Sequence, residues 1–154
     1  MAAHYVDSSA LVKRYMVETG TAWLRSLMDP ATGNVIVIAR ISAVELIAAL
    51  TRRERGSALT PADAISARAE FRKHLTSEYQ TVEITAACVN QAMMLAETYG
   101  LRGYDAVQLA VVRDVNREFL ALGGLPITLV SADVELNAAA IAEGLMVEDP
   151  NTHP

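Results

Sequence analysis

The chain of 154 residues is long enough for one domain with a buried core, and 52% hydrophobic with 20% charged residues excludes wholesale disorder. The net charge of −5 argues against broad electrostatic attraction to nucleic acid, although bound cations would reverse the local field. A single cysteine, Cys88, excludes an intramolecular disulfide. With no signal-peptide pattern and no apolar run of about 20 residues, we expect a cytoplasmic protein with no membrane partner.

Short apolar runs rich in valine and isoleucine alternate along the chain with longer segments of helical periodicity. Strands are predicted at 4–6, 34–39, 81–84, 127–130 and 145–147. Helices are predicted at 10–16, 21–28, 43–55, 61–78, 86–99, 106–122 and 134–143. Short β-branched strands suit a sheet that is covered on both faces. Their alternation with helices predicts an α/β fold with a mostly parallel sheet.

Residues that start, end or separate the predicted helices and strands indicate the domain organisation. Thr60 before a proline is typical of a helix N-cap, so a helix is expected to start there. No linker or repeat divides the chain, which predicts one domain over residues 1–148. Residues 149–154 contain two prolines and no apolar residue, and a frayed tail is therefore expected.

Four acidic residues fall where this fold would bring them together. Asp7 closes the first strand and Asp133 follows the fourth, while Glu45 and Asp105 lie in the first turns of two apolar helices. Strand carboxyl ends and the amino ends of the following helices share one edge of a parallel sheet. A pair of carboxylates about 4 Å apart costs roughly 4 kcal/mol at an effective dielectric near 20. A hard divalent cation, Mg²⁺ or Mn²⁺, would offset that cost, so we predict a metal site.

Helix capping offers an alternative explanation for several of these acids. Ser42 and Glu45 match a capping box, with serine as the N-cap and glutamate at the third helical position. Asp105 and Gln108 have the same spacing, and Asp133 is well placed to cap the helix that follows it. The acid after the first strand is the one that turn chemistry explains least. The prediction of a metal site rests on all four acids together.

Other catalytic chemistries find little support. The three histidines, His4, His74 and His153, share no metal-ligand spacing. A phosphatase with an aspartyl nucleophile would need an acid two residues after the first aspartate, where the chain has Ser9. Glycine-rich phosphate loops and nucleophile elbows are also absent from the sequence.

The segments YVDSSALVKRY, SAVEL, GYDAVQLA and VSAD, in this order, resemble the PIN-domain family. More narrowly, the chain is similar to the small VapC-like ribonuclease toxins of bacterial toxin–antitoxin pairs. The resemblance extends over residues 4–147. It implies a three-layer α/β/α sandwich around the parallel sheet and a Mg²⁺- or Mn²⁺-dependent endoribonuclease.

The resemblance also assigns roles to residues. Carried over by position, the acidic quartet of the family falls on Asp7, Glu45, Asp105 and Asp133. Asp7 and Asp105 are the first choice for direct metal ligands; the other two acids bind directly, through water, or only with substrate. Ser8 and Ser131 match small hydroxyl residues beside the first and last acids. Gln108 stands where many relatives have histidine, so it can orient a phosphate or water but cannot titrate.

The implied reaction is cleavage of RNA phosphodiester bonds by metal-activated water. The implied partners are the RNA substrate, a small antitoxin protein and a second copy of the chain. Lys13, Arg14 and Arg40 are candidate RNA contacts near the edge that carries the acids. Two alternatives stay open: a PIN-like protein-binding module with little activity, and a metal-dependent phosphatase or DNA nuclease on the same scaffold.

Overall fold

The computed structural model describes residues 2–154. The strands are β1 (Ala3–Val6), β2 (Val35–Ala39), β3 (Tyr79–Val82), β4 (Thr128–Val130) and β5 (Met146–Glu148). The helices are α1 (Ser8–Tyr15), α2 (Thr21–Leu27), α3 (Arg40–Arg55), α4 (Pro61–Ser77), α5 (Ala86–Tyr99), α6 (Gly103–Ala121) and α7 (Val134–Ala142). Two short 3₁₀ helices occupy Pro30–Thr32 and Pro150–Thr152. Each predicted strand and helix is present, with ends that differ by up to three residues.

The five strands form one sheet in the order β3-β2-β1-β4-β5, and every neighbouring pair is parallel. The predicted parallel sheet is therefore confirmed. From β1 the chain first builds outward through β2 and β3, and it later returns to place β4 and β5 on the other side. The order thus reverses between β1 and β4. Open parallel sheets bind their ligands at this kind of switch point, beyond the carboxyl ends of the strands.

Helices cover both faces of the sheet, because successive strand residues point to opposite sides. On β1, Tyr5 packs into a buried cluster with residues of α5, α6 and α7, whereas Val6 packs with residues of α1, α2, α3 and α4. Val37 and Ile38 divide in the same way on β2. The three-layer α/β/α sandwich is confirmed. Within residues 2–154, every helix is too short or too polar to cross a membrane.

The carboxyl-terminal tail, residues 149–154, is more ordered than expected. Pro150 is buried, and His153 stacks on Trp23 of α2 with ring centroids 4.2 Å apart. Gly20, at the start of α2, has a φ of +86°, and a Cβ there would lie 2.2 Å from the carbonyl oxygen of Pro150. A frayed tail was expected from composition; in the structure Pro150 instead starts a 3₁₀ turn that packs on α2, a contact that local composition does not show.

Candidate active site

Asp7 sits at the junction between β1 and α1, almost fully buried at 2% exposure. One carboxylate oxygen, Oδ1, accepts hydrogen bonds from Ser9 Oγ at 2.7 Å and from the Ala10 amide at 3.1 Å. The other, Oδ2, accepts from Ser131 Oγ at 3.2 Å. Asp7 is therefore the N-cap of α1, contrary to the expectation that turn chemistry explains it poorly. The predicted helix started two residues too late, which hid this cap.

Burial also changes the protonation of Asp7. Loss of hydration raises the pKa of its carboxyl from 3.8 to about 7, although the hydrogen bonds from Ser9, Ala10 and Ser131 oppose that rise. The negative charge of Asp105 adds to the increase in pKa. Among residues 2–154, no basic side chain forms an ion pair with Asp7. A cation near this carboxylate would favour its charged form.

Glu45 projects from α3 toward the end of β1. Its Oε2 accepts a hydrogen bond from Ser8 Oγ at 3.0 Å, and its Oε1 accepts one from Gln108 Nε2 at 2.9 Å. The capping-box interpretation is wrong, because α3 begins at Arg40 and places both Ser42 and Glu45 inside the helix. The Ser42 hydroxyl instead accepts a second hydrogen bond from Gln108 Nε2, at 2.9 Å.

Gln108 is held in place by a residue that the sequence did not single out. Tyr5, fully buried on β1, donates its hydroxyl proton to Gln108 Oε1 at 2.5 Å. Since the amide oxygen is engaged there, the amide nitrogen faces Glu45 and Ser42. Tyr5 thus fixes the direction in which Gln108 donates. A tyrosine in a central apolar strand needs a hydrogen-bond partner, and this need was a usable signal in the sequence.

Asp105 and Asp133 are joined by an arginine. Helix α6 begins at Gly103 with Arg102 as its N-cap, so Asp105 lies inside the first turn and is not the predicted cap. Asp133 does cap α7, because its Oδ1 accepts from the Leu136 amide at 2.8 Å. Its Oδ2 lies 3.2 Å from Arg102 Nη2, and Asp105 Oδ2 lies 3.4 Å from Arg102 Nε. Asp133 therefore both caps a helix and faces the other acids.

Asp105 lies within electrostatic reach of the other three acids. Burial raises the pKa of the Asp105 carboxyl, and the negative charges of Asp133 and Glu45 raise it further. The positive charge of Arg102 opposes this increase. A groove of about 630 Å³ runs past three of these carboxylates and continues between α1 and α3. The charged residues along it are Lys13, Glu18, Glu45, Arg52, Arg53, Arg102, Asp105 and Asp133. One end of the groove is therefore acidic and the other mostly basic.

The three predicted RNA contacts lie in different places. Lys13 lines the groove but is buried and pairs with Glu18 at 3.2 Å. Arg14 hydrogen-bonds the tyrosine that begins β3, so its predicted position near the acids is wrong. Helix α1 leads away from the acidic edge and carries Arg14 to the amino end of β3. Arg40 does follow the end of β2, but it pairs with Glu83 and does not line the groove.

The four carboxylates are suitable ligands for a hard divalent cation, although their oxygens do not point toward one common position. Within residues 2–154, no three His, Cys, Asp or Glu side chains are arranged to hold one ion. The carboxylate oxygens are instead engaged by hydroxyl, amide and guanidinium groups. Asp7 and Glu45 nevertheless lack a basic partner, and all four acids offer the oxygen donors that Mg²⁺ and Mn²⁺ prefer. Asp7, Glu45, Asp105 and Asp133 are the residues that could hold such an ion.

Sequence comparison agrees with this architecture. A family model described as PIN domain matches residues 4–142. The chain belongs to the PIN-domain family. Two relatives of this PIN domain, Ribonuclease VapC45 and Ribonuclease VapC49 from two strains of Mycobacterium tuberculosis, are each 30% identical to it over 150 residues. In both cases 97% of this chain and 97% of the relative are covered.

Solved structures share the fold of this PIN domain. PAE2754 from Pyrobaculum aerophilum superposes with a TM-score of 0.65 at 23% identity, covering 98% of this chain and 91% of that one. VapBC2 from Rickettsia felis, bound to a DNA fragment from its promoter, gives a TM-score of 0.59 at 15% identity. That match covers 96% of this chain and 98% of the other. At 23% and 15% identity, these matches show a shared fold and nothing more.

Proposed function

We propose that this chain is a Mg²⁺- or Mn²⁺-dependent endoribonuclease and the toxin of a toxin–antitoxin pair. The observation that carries the proposal is the buried Asp7 carboxylate at the switch point of the sheet, which has no basic partner of its own and is close enough to Asp105 to feel its charge. Asp105 in turn feels the charges of Glu45 and Asp133. The names of the 30%-identical relatives, both ribonucleases, support the same activity.

Hydrogen bonds from neighbouring side chains orient the carboxylates of Asp7 and Glu45. Ser9 and Ser131 donate to the two oxygens of Asp7, and Ser8 and Gln108 donate to those of Glu45. These hydrogen bonds limit rotation of the carboxylates and so fix where their negative charge lies. A divalent cation, when bound, lowers the pKa of water and offsets charge on phosphoryl oxygens. Asp7, Glu45, Asp105 and Asp133 would hold it.

Water is the proposed nucleophile, because a divalent cation held by the acids would lower the pKa of water and no covalent intermediate would then be needed. The hydroxyls of Ser8 and Ser9 donate to carboxylates and hold them in place. Cys88 is buried and lies outside the groove. Gln108 does not titrate and serves to orient Glu45. Attack by water leaves the ribose 2′-hydroxyl out of the reaction, so the products should carry no 2′,3′-cyclic phosphate.

The groove favours a single RNA strand over a long duplex. A chain of net charge −5 offers no broad cationic surface for the two backbones of a duplex. Local contacts are available instead at the basic end of the groove, where Arg52 is exposed. RNA without regular pairing can bend its backbone toward the acids from there, as is usual for proteins that bind loops and single strands.

The same groove offers a site for the proposed antitoxin. Val44 and Tyr104 line it and are 63% and 59% exposed, so both present apolar surface to a partner. A partner helix with an apolar face and a basic residue would match the apolar wall and the acidic end together. Occupation of the groove would also exclude RNA, which gives a direct route to inhibition.

The decisive experiment uses purified protein freed of any partner. Total RNA is incubated with and without Mg²⁺ or Mn²⁺, with parallel samples of single-stranded DNA and a generic phosphomonoester. We expect metal-dependent cleavage of RNA by the wild type, loss of cleavage in Asp105→Asn, and full activity in Glu97→Gln, which removes an exposed acid on α5. Full activity in excess EDTA, or cyclic phosphate ends, would overturn the mechanism. Cleavage of DNA or of the phosphomonoester alone would favour the alternative enzymes.

A further inference from the structure

Arg102 places a positive charge between two acids of the site. Its Nε lies 3.4 Å from Asp105 Oδ2 and its Nη2 lies 3.2 Å from Asp133 Oδ2. The two carboxylates belong to different helices, α6 and α7, so one guanidinium joins two elements. Arg102 also opposes the rise in the pKa of Asp105 that burial and Asp133 produce. It therefore offsets the same repulsion that a divalent cation would offset.

The ion pairs of Arg102 with Asp105 and Asp133 can open without disturbing the fold. The Arg102 side chain is 77% exposed, whereas the side chains of Asp105 and Asp133 are 16% and 18% exposed. Ion pairs with one partner in solvent are weak and open readily. Arg102 is the N-cap of α6, yet its side chain makes no capping hydrogen bond. The start of the helix therefore does not depend on where the guanidinium lies.

We propose that Arg102 takes the place of a divalent cation between Asp105 and Asp133 and leaves when that cation binds, after which its guanidinium binds a phosphate of the substrate. A cation and a guanidinium at the same two carboxylates would repel each other, so their binding is competitive. The long exposed stem lets the guanidinium move without changing the fold. Because Arg102 lines the groove, the freed group stays beside the path of a substrate strand.

The second half of the proposal follows from the chemistry of arginine. A guanidinium carries five N–H donors and binds phosphate oxygens in pairs, a geometry that lysine does not match. The other basic residues of the groove lie at its far end, and Lys13 and Arg53 are already paired with Glu18. Among the basic residues that line the groove, Arg102 is thus the one that pairs with acids of the site. It is a substrate-binding residue in this proposal, which here rests on the proposed nuclease activity.

The exchange is tested without RNA. Metal-free full-length protein is titrated with MnCl₂ in a calorimeter, for the wild type and for Arg102→Gln. Removing the competing guanidinium should tighten Mn²⁺ binding about threefold to tenfold. The matched control is Arg117→Gln, since Arg117 pairs with Asp114 three residues earlier on α6 and is 67% exposed, away from the groove. Unchanged Mn²⁺ affinity in Arg102→Gln, or equal tightening in both variants, would overturn the exchange.

Substrate binding is tested separately at saturating Mn²⁺. Arg102→Gln should raise the KM for a short single-stranded RNA about tenfold, with a smaller change in kcat, because one phosphate contact is lost. Arg117→Gln should leave both constants unchanged. An unchanged KM in Arg102→Gln would overturn the phosphate-binding role. If the protein cleaved no RNA at all, the proposed function would fail, whereas the calorimetric result would still decide whether the exchange occurs.

Discussion

At the scale of single residues, the protonation of Asp7 should make the stability of the protein depend on pH. Its pKa is raised by burial from 3.8 to about 7, so between these values the folded protein holds a proton that the unfolded chain has released. The free energy of unfolding of the metal-free protein should therefore decrease as the pH rises through this window. The total decrease is on the order of 4 kcal/mol if Asp7 acts alone.

Chemical denaturation in EDTA at several pH values measures this slope. Asp7→Asn should flatten it, because asparagine keeps the helix cap but does not titrate. Glu97→Gln, which changes an exposed acid, should keep the wild-type slope. Stability that instead rises steadily from pH 4 to pH 7 in the wild type would contradict the assignment to Asp7.

Tyr5 gives a second prediction for a single residue. Tyr5→Phe removes the hydroxyl that donates to Gln108 Oε1 and leaves the amide free to rotate away from Glu45. Loss of such a supporting contact should lower kcat roughly tenfold and reduce stability by about 1–3 kcal/mol. Tyr79→Phe is the matched control, because Tyr79 is also a buried hydrogen-bonded tyrosine but lies with Tyr15 and Arg14 at the amino end of β3.

Stability and rate constants, measured together, separate the two variants. Both should be less stable than the wild type, because each loses a buried hydrogen bond. Only Tyr5→Phe should have a lower kcat per folded molecule. Equal kcat in the wild type and Tyr5→Phe would show that Gln108 does not depend on the tyrosine for its orientation.

At the scale of secondary structure elements, strands were easier to predict than the starts of helices. Val35–Ala39 reads as a buried strand because β-branched residues alternate between two apolar cores. Helix α3 begins at Arg40, where no side chain caps it, so the serine two residues later was taken for the cap. Helix α6 likewise begins without a side-chain cap. The capping rules mark helix starts only where a side chain performs the capping.

The candidate site shows the same division between local and distant information. Asp7 and Asp133 follow strands, so their shared edge could be predicted from chain order and parallel topology. The contact between Tyr5 and Gln108, 103 residues apart in sequence, depends on how α6 packs against β1. The ion pairs of Arg102 likewise depend on side-chain placement between α6 and α7. Such pairings require the three-dimensional packing.

The docking of the tail on α2 yields a prediction at this scale. Gly20→Ala would bring a Cβ to 2.2 Å from the carbonyl oxygen of Pro150, at a φ of +86°. We expect a loss of roughly 1–3 kcal/mol in stability and a more mobile tail. Gly33→Ala is the matched control, since Gly33 has a φ of +72° but no atom within 4 Å of its Cβ position, and it should cost about 1 kcal/mol. Equal losses in thermal denaturation would rule out the clash.

At the scale of the whole molecule, we expect self-association. Three large apolar side chains of α5 face solvent: Val89, Met93 and Met94 are 43%, 61% and 63% exposed. Burying them against a second copy would remove apolar surface from water. Light scattering should then give twice the 16.6 kDa mass of the chain, and Met93→Lys should shift the mass toward the monomer. A monomeric wild type across the micromolar range would contradict this expectation.

The net charge of −5 leads to a prediction about salt. The logarithm of the affinity for nucleic acid falls linearly with the logarithm of the salt concentration. For a single strand, each phosphate that the protein neutralises makes this slope more negative by about 0.7. With few basic residues along the groove, we expect a shallow total slope of about −1 to −2. Binding of a non-cleavable RNA to the protein, measured between low and moderate salt, gives this slope. A value as steep as those of strongly basic nucleic-acid-binding proteins would require a cationic surface outside the groove.

The stacking of Trp23 on His153 also has a practical consequence for spectroscopy. Trp23 is the only tryptophan of the chain, and it lies outside the groove, against the tail. Its ultraviolet emission will therefore report whether the last residues are docked, because a neighbouring imidazole changes the quantum yield of an indole. Loading of the acidic site should leave that emission unchanged. A change on adding a metal or an antitoxin would instead signal movement at the carboxyl terminus.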